Sequence, residues 1–182
     1  MSTVFETFAA AARTHAQRPW LSVPSETAAA YDIAAGDITY ADAMQRVLVL
    51  RAQYAAAGYG PGHRVGLLLE NRPAFFFHWF ALNALGVSIV PLNPDLRIIE
   101  LSYVIAHSEM VAIVAIPSRH AALREAGNVP VTAPDQPPPP VTPGGQPSTR
   151  QPCSIPRAPP AARKAVSCLT PISPPPETGM PG

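Results

Sequence analysis

The pattern of apolar and polar positions is clearest in residues 64–94, RVGLLLENRPAFFFHWFALNALGVSIVPLNP. Residues 64–70 form a short apolar run of strand length, bounded by turn and breaker residues. Residues 74–85 are apolar at nearly every position, so the helix they predict must be covered on all sides. After a stop at Gly86, residues 87–92 predict a second buried strand. Two buried strands joined by a helix indicate a crossover in a parallel sheet.

Helix starts are predicted from capping residues. Asn71 is a residue type that caps helices, and Pro73 fits a first turn, where a missing amide costs nothing. The segments TVFE from Thr3 and TYAD from Thr39 both have capping-box spacing. We therefore expect amphipathic helices after Thr3 and after Thr39, in addition to the apolar helix after Pro73.

Apolar residues at helical spacing indicate the buried side of each amphipathic helix. The predicted buried residues are Phe5, Phe8, Ala9 and Ala12 in the first helix, Met44, Val47, Leu48 and Ala55 in the second, and Ile98, Leu101, Val104 and Ile105 in a helix over residues 98–107.

The remaining segments complete an alternating order of helices and strands. Residues 110–116 predict a third buried strand, residues 118–126 a short helix and residues 129–133 the start of a fourth strand. Residues 20–23 and 30–33 predict a small hairpin nearer the N-terminus. This order favours an α/β fold of parallel-sheet layers with helices on both faces.

The composition divides the chain at about residue 134. Seventeen of the 24 prolines follow Asn128, and residues 137–140 are a run of four prolines. A segment so poor in apolar residues cannot offset the entropy of ordering. We expect a domain over residues 1–133 and a disordered, proline-rich tail over residues 134–182.

Charge and cysteine content limit the classes of partner and compartment. A net charge of +1 without a basic stripe gives no electrostatic reason to expect nucleic acid or an anionic membrane as a partner. The N-terminus lacks a secretory-signal pattern and no apolar run is long enough to span a bilayer, so we expect a cytoplasmic protein. Cys153 and Cys168 are expected to be free thiols.

Residues 38–115 resemble the N-terminal part of the adenylate-forming enzymes, the superfamily of acyl-CoA synthetases, luciferases and peptide-synthetase adenylation domains. The resemblance rests on ITYADAMQRV, on GPGHRVGLLLENRPAFFFHWFALNALGVSIVPLNP and on ELSYVIAHSEMVAIV, in that order. It implies a parent enzyme that activates a small-molecule carboxylate with ATP and Mg²⁺ to an acyl-adenylate and then transfers the acyl group to coenzyme A (CoA).

The residues that perform this chemistry in the family are missing from the chain as written. The resemblance implies a Thr/Ser/Gly-rich phosphate loop ending in Pro-Lys-Gly, a ribose-binding Asp and a catalytic Lys, yet the only lysine is Lys164 in the tail. We therefore assign no catalytic, cofactor-binding or metal-binding residue, and expect this chain to bind none of ATP, Mg²⁺ and CoA.

The tail carries a trace of the missing loop in another reading frame. The reading frame over residues 152–165, PCSIPRAPPAARKA, can be shifted by joining the third base of each codon to the first two bases of the next codon. The last shifted codon then uses the first two bases of the Val166 codon. With permitted third bases the shifted translation is LLYTSGTTGRPKGC, which is the family's phosphate loop after its apolar strand. We hypothesise that a frame shift between residues 134 and 152 truncated a full-length synthetase.

Several residues permit a second interpretation. The FFFHWF segment of residues 75–80 could line an acyl pocket, although helix core is favoured. Glu70 and Asn71 follow the first central strand, where α/β sheets bind ligands, although a capping role is preferred. Asp95, Glu100 and Glu109 could supply a carboxylate pair, but solvated helix ends are the favoured interpretation.

Two further alternatives concern histidines and the proline run. His15, His63, His78, His107 and His120 show no metal-ligand spacing. Residues 137–140 could be a polyproline ligand for an aromatic groove, although Arg150 is too far away to flank the core of such a motif. The alternative function is a non-catalytic interaction or regulatory module with a proline-rich tail.

Overall fold

The computed structural model describes residues 3–141. In chain order the elements are α1 (Val4–Thr14), β1 (Pro19–Val23), α2 (Ser25–Tyr31), β2 (Gly36–Thr39), α3 (Tyr40–Ala56), β3 (Arg64–Leu68), α4 (Pro73–Asn83), β4 (Ser88–Pro91), α5 (Ile98–Ser108), β5 (Ala112–Ala115), a 3₁₀ turn (Pro117–Arg119), α6 (His120–Ala126) and β6 (Val131–Thr132).

Four strands form one parallel sheet in the order β4-β3-β5-β6. Successive residues of a strand point to opposite faces, and the two hydrophobic clusters follow this alternation. Val65 and Leu67 face the cluster that includes α1, α3 and α4, whereas Leu68 and Ile113 face the cluster that includes α5 and α6. The predicted fold class, an α/β fold with helices on both faces of a parallel sheet, is confirmed.

Both predicted capping boxes are present. The Thr3 side chain accepts a hydrogen bond from the Glu6 amide at 3.1 Å, and the Glu6 carboxylate accepts one from the Thr3 amide at 2.8 Å. Thr39 and Asp42 repeat this exchange at the start of α3. Each box satisfies two amides that the helix itself leaves unpaired, which is why these helices begin where the sequence predicts.

Helix α4 is enclosed as its composition predicts, since none of its residues is exposed. The Phe80 ring stacks on Phe8 of α1 with centroids 4.4 Å apart, and Trp20 of β1 lies 6.0 Å from the same ring. Gly86 has a φ of +71°, which a glycine adopts freely, and follows the end of the helix. The apolar helix is therefore the central element of one half of the core.

The predicted hairpin is partly wrong. Residues 20–23 fall in β1, but Ala30 and Tyr31 belong to α2 and the strand paired with β1 is Gly36–Thr39. Three consecutive alanines favour a helix, and Asp32, with φ +51°, stops it in the left-handed conformation. The strand partner therefore comes later in the chain than predicted.

Three predicted core positions are wrong. Leu48 is 45% exposed, Ile98 is 40% exposed and Ala55 is exposed. In α3 the buried stripe runs instead through Ala43, Val47 and Tyr54, because Tyr54 faces His78 of α4 and Ala55 is then turned outward. Strand β4, predicted to be buried, is the edge of the sheet and is only partly covered.

Residues 134–141 also belong to the described structure. The Val141 amide donates a hydrogen bond to the Ala57 carbonyl at 2.9 Å, and the Tyr59 hydroxyl donates one to the Pro139 carbonyl at 2.9 Å. The first residues of the predicted tail therefore contact the domain. Residues 142–182, including Cys153, Cys168 and the segment with the shifted phosphate loop, lie outside the described residues, and the domain boundary stays a prediction.

Candidate functional site

A cleft of about 500 Å³ lies at the carboxyl ends of β3 and β4. Open α/β sheets bind ligands at this edge, where the loops after parallel strands diverge. The lining residues are Tyr31, Leu67, Glu70, Asn71, Phe75, Leu92, Pro94, Asp95 and Arg119. The position of this cleft makes it the candidate functional site of the described residues.

Arg72 holds one wall of the cleft by joining the end of α2 to the loop after β3. Its Nη1 donates a hydrogen bond to the Tyr31 carbonyl, and its guanidinium carbon lies 4.9 Å from the centre of the Tyr31 ring. Its Nη2 lies 3.8 Å from Glu70 Oε2, with 20% of the Arg72 side chain and 19% of the Glu70 side chain exposed. These contacts fix both Tyr31 and Glu70 at the cleft.

Glu70 adopts a left-handed backbone conformation, with φ +56°. This conformation costs a residue that has a Cβ about 1 kcal/mol or more. The bend leads directly from β3 to the start of α4 and sets Glu70 at the carboxyl edge of the sheet. Such strain is often found where a side chain must be positioned for binding.

The polar groups of the cleft are of mixed charge. Two acidic residues, Glu70 and Asp95, share the lining with Arg119 and Asn71, and the apolar lining residues are Leu67, Phe75, Leu92 and Pro94. Such a set can pair with a small ligand that carries hydrogen-bond donors. Within residues 3–141 no group of three or more His, Cys, Asp or Glu side chains is placed to hold a metal ion.

The structure separates the carboxylates that the sequence suggested as a pair. Asp95 lies at the cleft, and its backbone amide donates a hydrogen bond to Asn93 Oδ1 at 3.0 Å. Glu100 Oε2 accepts a hydrogen bond from the Arg97 amide at 2.8 Å, and Glu109 contacts Arg64. Glu100 and Glu109 therefore occupy helix ends, as the favoured interpretation has it.

Glu70 and Asn71 both line the cleft, as their position after the first central strand suggested. The preferred capping role of Asn71 is wrong. The N-cap of α4 is Arg72, without a side-chain cap, and Pro73 occupies the first turn. Because Pro73 has no amide to donate, this helix has one fewer of the amides that a helix start leaves unpaired.

The aromatic segment of α4 divides between core and cleft. Phe77 and Phe80 are buried in the cluster on the α3 side of the sheet, which is the core role favoured from sequence. Phe75, two residues before Phe77, lines the cleft. One residue of the segment is thus placed to contact a ligand.

The histidines have separate hydrogen-bond partners. His78 contacts Tyr54 Oη at 2.8 Å, and His120 Nε2 donates to the Ala115 carbonyl at 2.9 Å. His63 Nδ1 accepts from the Gly60 amide at 3.1 Å, and His107 Nδ1 contacts the Tyr103 carbonyl at 2.8 Å. The His15 ring lies beside Tyr40, with centroids 6.4 Å apart.

Sequence reasoning missed Tyr31, Arg72 and Arg119. Tyr31 was placed in a predicted strand, although the segment PSET from Pro24 is a typical start for a short helix. No local pattern marks Arg72, because its partner Tyr31 is distant in the chain. Arg119 becomes a cleft residue only through the 3₁₀ turn after β5.

A family model described as AMP-binding enzyme matches residues 10–168. The chain belongs to the AMP-binding enzyme family. The match begins within α1 and extends past residue 141, the last described residue. The resemblance stated from the sequence is therefore confirmed.

Curated relatives of this AMP-binding enzyme chain are CoA ligases. Feruloyl-CoA synthase of Amycolatopsis sp is 38% identical over 80 residues, which cover 44% of this chain and 16% of that protein. Crotonobetaine/carnitine–CoA ligase of Proteus mirabilis is 28% identical over 104 residues, which cover 53% of this chain and 20% of that protein. The chain thus spans a fifth or less of the length of either relative.

Solved structures show the same fold at low identity. VinN superposes with a TM-score of 0.64 at 20% identity, covering 72% of this chain and 31% of VinN. The N-terminal subdomain of NpsA from Klebsiella oxytoca gives a TM-score of 0.62 at 17% identity, covering 74% of this chain and 31% of that chain. Within residues 3–141, no helix combines the length and apolarity needed to cross a bilayer.

Proposed function

We propose that this chain carries part of the N-terminal scaffold of an AMP-forming acyl-CoA synthetase and that, as given, it has no ligase activity. The parent activity is supported by the family match together with relatives that are named feruloyl-CoA synthase and crotonobetaine/carnitine–CoA ligase. The parent enzyme would join a small-molecule carboxylate to CoA at the expense of ATP, with Mg²⁺, through an acyl-adenylate. Its cytoplasmic location stays a prediction.

The cleft does not fit a nucleotide triphosphate. Phosphate sites offer several backbone amides from a glycine-rich loop, usually with a lysine. Here the lining carries two carboxylates, Glu70 and Asp95, against one guanidinium of Arg119, and residues 3–141 contain no lysine. The two carboxylates would repel the phosphates of ATP, so we derive no step of the reaction through this cleft.

The shifted translation of residues 152–165 supports the loss of the phosphate loop. The shifted segment supplies the strand, the Thr/Ser/Gly-rich loop and the Pro-Lys-Gly end in the order that the family requires. Determining the genomic DNA sequence tests this. We expect a single inserted or missing base between the codons of residues 134 and 152, followed by a long frame that encodes the remaining family motifs. A frame without downstream homology would contradict the proposal.

Activity is tested by pyrophosphate release. The full chain is incubated with ATP, Mg²⁺, CoA and a mixture of aromatic and aliphatic carboxylates, beside a boiled sample and a frame-corrected version of the gene. We expect release at the boiled level from the chain as given and turnover from the corrected gene product. Turnover by the chain as given, or tight ATP binding in calorimetry, would contradict its assignment as an inactive scaffold.

The second candidate is a non-catalytic binding or regulatory module. It is favoured by one observation, the docking of residues 134–141 on the domain through Tyr59 and Ala57. A folded scaffold that retains its own proline-rich segment has the components of a self-contained module. A cooperative thermal transition and a monomeric sedimentation profile for the full chain would support this candidate, and aggregation would favour an incomplete enzyme.

A further inference from the structure

Residues 134–141, here called the strap, dock against the C-terminal end of α3, the turn after it and the middle of α4. The His78 Nε2 contacts the Pro134 carbonyl at 3.1 Å, and the Tyr59 hydroxyl donates to the Pro139 carbonyl at 2.9 Å. The Val141 amide donates to the Ala57 carbonyl at 2.9 Å. The three contacts fix the beginning, the middle and the end of the strap.

The proline-rich composition of the strap suits docking on this surface. Consecutive prolines hold the backbone extended and leave its carbonyls without partners, so little entropy is lost when they dock. The domain offers side-chain donors on Tyr59 and His78 and, at the longer distance of 3.5 Å, on Thr132 to three proline carbonyls. The surface therefore suits an extended, proline-rich segment, and this chain supplies that segment itself.

The His78 contact is sensitive to protonation because of how the ring is paired. A carbonyl can only accept, so Nε2 must carry the hydrogen that bonds to Pro134, and Nδ1 of the neutral ring then accepts from the Tyr54 hydroxyl. Only 2% of His78 and 1% of Tyr54 are exposed. The neutral ring is thus fully paired at a buried site.

A second proton on His78 would disrupt this arrangement. Neither group that hydrogen-bonds to the ring carries a charge: Tyr54 approaches from α3, and the Pro134 carbonyl from the strap. Tyr59 contacts the Tyr54 ring, with centroids 5.1 Å apart, and Asp135, next to Pro134, is exposed. Burial lowers the pKa of His78 to about 4, since the imidazolium loses its hydration there.

The strap is the cover over His78 that gives way most easily. Tyr54 is anchored in the main hydrophobic cluster, whereas the strap adds only the half-buried Val141 to that cluster. Segments with few buried apolar contacts open at a lower free energy than the core. We propose that residues 134–141 form a latch over Tyr59 and His78, and that acid releases this latch by protonating His78.

The direction of the pH effect follows from comparing the docked strap with the undocked strap. His78 binds a second proton less readily when the strap covers it than when the ring is exposed to water. Docking is therefore fully favourable above the ordinary pKa of 6.5. Docking weakens as the pH falls from 6.5 toward 4, where the docked form itself becomes protonated.

Amide hydrogen exchange in the full chain, divided by intrinsic rates, tests the latch. Between pH 7.5 and pH 4.5 the protection of the Val141 amide should fall roughly 50- to 100-fold, while the amides of β3 stay protected. In a His78→Gln variant, which keeps a neutral donor for Pro134, Val141 protection should change less than about threefold. Tyr59→Phe should lower protection at every pH and leave the pH slope unchanged.

Three results would overturn the latch: constant Val141 protection in the natural chain, an equal loss in His78→Gln, or simultaneous loss in β3, which would indicate global unfolding. If His78→Gln does not fold, an NMR titration of the natural chain decides the matter. The Val141 amide shift should then move with the same midpoint as the His78 ring resonances, and separate midpoints would contradict the proposal.

Discussion

The backbone amide of Phe5 donates a hydrogen bond to Asn83 Oδ1 at 3.0 Å, across 78 positions of the chain. Phe5 lies in the first turn of α1, where helix amides have no partner within the helix, and Asn83 is the last residue of α4. A polar residue of a mostly apolar helix thus satisfies an amide at the start of another helix. The contact joins the N-terminal helix to the central element of the core.

Replacing Asn83 tests this contact. Asn83→Ala removes the acceptor and should lower the free energy of unfolding by about 1–2 kcal/mol. Asn83→Asp keeps an acceptor and places a negative charge near the positive end of α1, so it should stay within about 0.5 kcal/mol of the natural chain. Urea unfolding of the full chain at pH 7.5 measures both, and equal losses would show that the bond does not matter.

Gly127 is required by the close approach of α5. A Cβ on Gly127 would lie 2.7 Å from Ile105 Cγ2, which is closer than carbon atoms can approach. Gly127→Ala should lower the free energy of unfolding by about 1–3 kcal/mol, because the helices must separate. Gly60→Ala is the matched control, since nothing lies within 4 Å of a Cβ there, and it should be nearly neutral in the same urea experiment.

A double variant separates this clash from other effects of glycine. Ile105→Leu removes the branch at Cβ and with it the methyl group that a Gly127 Cβ would meet. We expect the loss in Ile105→Leu/Gly127→Ala to be smaller than the sum of the two single losses by about 1 kcal/mol. Strict additivity would assign the cost to backbone conformation instead.

Much of the fold can be predicted because its determinants are local. Thr3, Thr39 and Pro73 mark helix starts with residues that are adjacent in sequence to the helices they begin. Leu48 and Ile98 were misplaced because helical spacing gives a buried side only to within about one residue, and here Tyr54 and Leu101 decide which side packs. Strand β4 was misjudged because an edge strand can have the same apolar run as a central one.

The candidate site was predicted less completely. Glu70 could be placed at the carboxyl edge of the sheet, since a residue that follows a central strand must lie there. Tyr31 and Arg119 reach the same cleft from elements far away in the chain, so no spacing pattern reveals them. The same is true of the strap, because the donors for its proline carbonyls lie on Tyr59 and His78.

The buried Tyr54–His78 contact should be more important for stability than the partly buried hydrogen bond from Tyr59 to the Pro139 carbonyl. Tyr54→Phe leaves His78 Nδ1 without a donor at a buried site and should lower the free energy of unfolding by about 1–3 kcal/mol. Tyr59→Phe removes the donor to the carbonyl of Pro139, a partly exposed residue, and should cost about 1 kcal/mol or less. Thermal and urea unfolding rank the two variants, and the reverse order would contradict the pairing described for His78.

Arg72 should be sensitive to a conservative replacement, although it is an arginine near the surface. Lysine cannot both donate to the Tyr31 carbonyl and lie flat over the Tyr31 ring, so Arg72→Lys should lower the free energy of unfolding by about 1–2 kcal/mol. Arg46 provides a matched control because its guanidinium lies 5.3 Å from the centre of the Phe77 ring on an exposed part of α3. Arg46→Lys should change stability by less than about 0.5 kcal/mol. Equal effects in thermal unfolding would mean that Arg72 contributes only an aromatic contact and does not fix the wall of the cleft.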